Sequence, residues 1–94
     1  MTSPPMKMDG AEVLFWMARE HPLYSIDEGG VARGVVAMAV AQYPKKGSEI
    51  GSFYLFKCDA AWEVIADSDC ESVEEAMILA AGCGVRQDEW NRVG

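Results

Sequence analysis

The side chains best suited to chemistry in this chain are carboxylates, three thiols and one imidazole. From Asp59 to Glu75 there are seven acids: Asp59, Glu63, Asp67, Asp69, Glu71, Glu74 and Glu75. No Lys or Arg falls among them. Like charges gathered this way raise the local field and steer a basic partner. The same run also fits a capped helix with a solvated rim. Asp67, Asp69 and Glu71 alternate like a fragment of a calcium loop. The central glycine and the distant bidentate Glu of an EF-hand are missing. No pair of the acids is singled out as a glycosidase pair, because fifteen acids match some spacing by chance.

The thiols point to little. Cys58, Cys70 and Cys83 are spaced by 12 and 13 residues, without a Cys-x-x-Cys. A structural zinc site wants four Cys or His ligands in close pairs, so no metal ligand, cofactor or disulfide is expected. Cys70 precedes a predicted helix N-terminus, where a thiolate is favoured, but Asp69 and Glu71 flank it and oppose that. Cys83 lies just past the electronegative end of the same helix, which raises a thiol pKa. A small thiol-redox enzyme using Cys70 or Cys83 is the alternative to a binding role. His21, the lone imidazole, has no Ser or Cys motif pointing to it, so no catalytic residue is assigned.

With 94 residues and a net charge of −7, the chain reads as one acidic domain. An acidic surface repels phosphate backbones, so direct nucleic-acid binding is not expected, and a basic protein is the complement. No apolar run reaches the roughly 18 residues of a membrane span. The first residues lack the pattern of a signal peptide, so a cytoplasmic site is the default.

The elements that must position these residues are read as follows. Residues 1–8, with Pro4-Pro5, form a flexible arm ahead of a single domain over 9–94. Asp9 and Glu12 form a capping box, and Val13, Leu14, Trp16 and Met17 recur at helical spacing, so 11–20 is expected to be helical. Residues 23–26 are a short strand before the Asp27–Gly30 turn. The stretch 31–43 is read as a central strand, with a helix the competing reading. Pro44–Glu49 is a polar loop carrying the basic pair Lys45-Lys46. A hairpin joins strand 52–58 to strand 61–66. Ser72 caps a final helix, with Val73, Ala76, Met77 and Ala80 inward and Gly82 in a left-handed C-terminal cap. Trp90 folds back on the body. The expected fold is α+β: a small antiparallel sheet of three or four strands with N- and C-terminal helices on one face.

On strand 52–58, Phe53 and Leu55 share one face and Tyr54 and Phe56 the other. One face covered by helices leaves aromatics exposed on the opposite one. The expected partner-binding set is therefore Asp59, Glu63, Asp67, Asp69, Glu71, Glu74, Tyr54 and Phe56.

The strand Trp62–Asp67 followed by Ser72-Val-Glu-Glu-Ala76 resembles the last strand and helix of small acidic phage or prophage accessory proteins. Anti-CRISPR proteins are similar in size and charge, and HicB-type antitoxins have a similar strand-to-helix step. This chain lacks the Gly-Cys turn usual before the helix of those antitoxins. The likeness covers about 15 residues and carries over no site residues. Charge, size and the missing motifs together lead to a non-catalytic protein that binds a basic surface, in the concrete case a phage-type inhibitor of a host nucleic-acid-handling defence complex. A structural or oligomerisation subunit, such as a homodimer, is the third option.

Overall fold

In the computed structural model, residues 3–44 and 52–93 are described; the loop expected at 44–49 falls largely outside them, with its Lys45-Lys46 pair. The expected N-terminal helix is a strand. Strands β1 (Lys7–Met8), β2 (Ala11–Ala18), β3 (Tyr24–Glu28), β4 (Val31–Val35), β5 (Ala37–Gln42), β6 (Phe53–Cys58) and β7 (Val64–Cys70) precede helix α1 (Val73–Gly82). A 3-10 turn at Gln87–Glu89 and strand β8 (Asn91–Arg92) follow. The fold is thus mostly β, with one α-helix among the described residues, and not an α+β layer with a helix at each end.

One antiparallel sheet runs β1-β2-β5-β6-β7 and curls into a half-barrel, while β8 also pairs with β2. Strands β3 and β4 form a separate hairpin. The reading of 31–43 as one central strand holds only for β5; Val31–Val35 belongs to the separate β3–β4 hairpin, with the break at Val36. Lys7 and Met8, placed by sequence in an arm, pair with Glu12 and Ala11.

The error over 11–18 has a physical cause. Asp9 and Gly10 have φ of 50° and 85°, the paired positive values of a two-residue hairpin turn, and Asp-Gly is a preferred dipeptide there. Asp9 therefore turns a hairpin and caps no helix. A bulge at Leu14 then breaks the alternation of β2. Ala11, Val13, Trp16 and Ala18 fall in one core cluster; Phe15 and Met17 fall in the other. With the bulge, Val13, Leu14, Trp16 and Met17 imitate helical spacing along a strand that is apolar on both faces.

The two faces are packed differently. On one, Met17, Met38, Val40 and Leu55 lie against Ala76 and Ala80 of α1. On the other, Ala37, Ala39 and Ala41 make a floor of small side chains. Phe56, Trp62, Trp16, Tyr43 and Tyr54 fill the space above it. Small residues beneath large ones let a strongly bent sheet pack without voids.

Helix α1 begins as expected: Ser72 Oγ accepts from the Glu75 backbone N–H at 3.1 Å. Its end lies further on than expected. Gly82 is the last helical residue, and Gly84 takes the left-handed conformation at φ 98°. The Gly84 N–H donates to the Ala81 carbonyl and the Val85 N–H to the Ala80 carbonyl, a Schellman closure that buries Val85. Trp90 is half-buried against the helix-side core.

Candidate functional site

The eight residues expected to form one binding surface divide into three places. The first is the β6–β7 turn. Asp59 Oδ1 accepts from the Ala61 and Glu63 backbone N–H groups, both at 2.9 Å. Its other oxygen, Oδ2, lies 2.9 Å from Arg33 Nη2. The same nitrogen is 3.4 Å from Glu63, and Arg33 Nη1 is 3.6 Å from Glu28. Burial alone would raise the Asp59 carboxyl pKa. The backbone donors of Glu63 and Ala61, with Arg33, outweigh it, and the net shift is downward. Asp59 shapes the turn, and Arg33 balances its charge. Arg33 sits on β4, distant in sequence, so the run of acids alone could not show this pairing.

The same turn holds Trp62 at φ 61°, a left-handed position that glycine usually takes. The Trp62 N–H donates to the Asp59 carbonyl at 3.1 Å, and the side chain is buried.

The second place is the face of the sheet opposite α1. Register pairs Tyr54 with Asp69 and Phe56 with Asp67, so all four side chains share this face. Tyr54 stacks on Phe56, with centroids 6.0 Å apart and planes 10° from parallel. Tyr43 meets the Tyr54 ring edge-on at 5.1 Å. Phe56 is 1% exposed. It supports Tyr54 from below and is not itself a contact surface, which corrects its expected role. Asp67 and Asp69 are exposed. Asp69, directly across the ladder, raises the Tyr54 phenol pKa, with desolvation and the charges of Asp69 and Asp67 adding to it.

The third place is the start of α1. Glu71 and Glu74 are exposed, and the Glu71 N–H donates to Glu75 at 3.3 Å. Beside them α1 turns an apolar side outward: Ile78 is 71% exposed and Leu79 41%. Glu74, Met77, Ile78, Ala81 and Gln87 line a shallow hollow of about 200 Å³ there. Met77, expected on the inward stripe, lines this outer hollow instead, and the outward apolar side was not anticipated. The signal was present, since Met77-Ile-Leu79 is a continuous apolar run with only part of a helix turn available to face the sheet.

Two of the three thiols sit where a thiolate is disfavoured. Burial pushes Cys58 up to about 12. Burial, then the Glu75 charge, raises Cys70. A reactive thiolate needs the opposite shift. Cys83 is half-buried, with Sγ 4.0 Å from the Tyr24 hydroxyl.

Among the described residues no group of His, Cys, Asp and Glu is placed to hold a metal ion, and no helix is long and apolar enough to cross a membrane. No protein-family model, curated protein or solved structure matches the chain.

Proposed function

We propose that this chain is a non-catalytic binding module that engages a basic surface of a partner protein. The observation that carries this reading is the contrast between two sets of acids. Asp59 is held by Arg33 at 2.9 Å, and Glu63 and Glu28 share the same cation at longer range. Asp67 and Asp69 stand exposed beside Tyr54 with no ion-pair partner among the described residues. Uncompensated charge next to a ring fixed by stacking suits recognition of Lys and Arg. Nucleic-acid-handling proteins carry such basic surfaces, and an inhibitor of a host defence complex, of the phage accessory type, is the concrete form of this proposal.

The test is capture of a basic nucleic-acid-binding protein by the immobilised chain. Reversing D67K/D69K is expected to abolish capture. Reversing Glu20 and Asp27, two exposed acids elsewhere, changes net charge equally and is expected to leave capture intact. Equal capture by both variants would sink the proposal.

The outward apolar side of α1 favours a second reading, self-association through Met77, Ile78 and Leu79. Light scattering separates the two. A dimer dispersed by Ile78→Ser would support it, and a monomer at high concentration would dismiss it.

A further inference from the structure

The sheet has two unequal edges. The outer side of β2 is covered in part by β1 and in part by β8. At the other end, the strand order stops at β7, and no described residue pairs with its outer side. A strand edge of this kind presents a row of N–H and C=O groups ready to pair with another chain. Ile65 is the extra residue at a bulge against β6, so the regular part of the edge is Ala66–Cys70.

We propose that this edge accepts an extended basic segment of a partner protein as an additional strand, with Lys or Arg at alternate positions beside Asp67 and Asp69. The two acids lie two residues apart and therefore point to the same face. Directly opposite side chains on neighbouring strands stand about 5 Å apart, and like charges placed so are destabilising. A second copy of β7 is the wrong occupant for that reason. Antiparallel pairing centred on Ser68 would set Asp67 against Asp69 twice. Pairing centred on Asp67 would set that residue against itself. An apolar strand would leave both carboxylates unmatched. A strand with alternating cations matches both acids while the backbone completes the ladder. The edge is thus closed to its own kind and open to a basic one.

This inference rests on the proposal of a basic partner and adds the mode of contact, so its test separates the two. The full chain is titrated with an acetylated, amidated octapeptide of alternating lysine and valine. Two further versions carry backbone N-methyl groups on one or the other alternate set of residues. Binding is expected, with one methylated version at least tenfold weaker and the other little changed, since only one set of amides faces the edge. The bound peptide is expected to slow amide exchange within residues 66–70. D67K/D69K, checked for folding by circular dichroism, is expected to bind at least tenfold more weakly.

Equal binding by all three peptides would overturn strand addition and leave the acidic surface standing. Equal binding of a glutamate–valine peptide would overturn the charge argument. No peptide binding, with capture of the basic protein still lost in D67K/D69K, would overturn this inference alone. Loss of both results would overturn it together with the proposed function.

Discussion

Trp62 and Trp16 meet edge to face across the side of the sheet opposite α1, with ring centroids 6.0 Å apart and planes at 83°. Trp62 reaches this contact from a left-handed backbone, φ 61°. Such a conformation costs a residue with a Cβ about 1 kcal/mol relative to glycine. Loss of a buried Trp ring costs about 3–5 kcal/mol, so the packing outweighs the strain. Trp62→Ala and Trp62→Gly both lose the ring, and Trp62→Gly also relieves the backbone. Urea unfolding is expected to find Trp62→Gly the more stable of the two by about 1 kcal/mol, the reverse of the usual order. Trp62→Ala being the more stable would show that the turn carries no such strain.

The C-terminal segment is tied to β2 by Arg19. Its Nε donates to Glu89 Oε2 at 2.8 Å, and Nη2 donates to the Gly84 carbonyl at 2.7 Å, just past the end of α1. The bond with Arg19, joined by the Arg86 backbone N–H and the nearby guanidinium charges, outweighs desolvation and lowers the Glu89 carboxyl to about 2 from an ordinary 4.5. A depressed carboxyl contributes stability above its unfolded pKa and loses it as pH falls through its folded one. The loss is therefore expected between pH 4.5 and about 2. Arg19 is partly exposed, so screening reduces the contribution to on the order of 1–2 kcal/mol. Unfolding midpoints for Arg19→Met and the parent chain are expected to converge through this window. A constant difference down to pH 2 would place the effect in packing rather than charge.

Local signals were legible in the sequence where one element decided them. Ser72 and Glu75 make the start of α1 readable, and the aromatic strand and its turn make the β6–β7 hairpin readable, although the returning strand runs over Val64–Cys70 rather than 61–66. What was not legible depended on partners far along the chain. The bulge at Leu14 exists because β2 must keep apolar residues toward both cores, and its cost to the pattern is a false helix. Arg33 reaches Asp59 across 26 residues, so a run of seven acids looked uniform while part of it was already neutralised. Phe56 alternates with Leu55 as a strand requires, yet both are buried, because aromatic rings cover the side where no helix lies.

Tyr54 offers a direct reading of the acidic face. Its phenol is raised chiefly by Asp69, its partner across the ladder. Removing the carboxylate charge in Asp69→Asn is expected to lower the phenol pKa toward its ordinary 10.0. Absorbance titration against a Tyr54→Phe reference isolates this one group from Tyr24 and Tyr43. A phenol unmoved by Asp69→Asn would separate the two side chains and remove Tyr54 from the proposed contact surface.

The cysteines give the sharpest contrast between a structural and a chemical role. A rise from 9.0 to about 12 leaves Cys58 about a thousandfold poorer in thiolate, at tenfold per unit. Burial also closes Cys58 and Cys70 to a reagent, whereas Cys83 is half-exposed beside Tyr24. Alkylation of the folded chain at neutral pH is expected to label Cys83 first. Cys58 and Cys70 should follow at least a hundredfold more slowly, at the rate of local opening. All three should react together in urea. Mass mapping of the labelled peptides reads the order. Fast labelling of Cys70 in the folded chain would mean that the start of α1 activates it despite Glu75 and Asp69. A thiol reaction would then compete with the binding role proposed for the neighbouring acids.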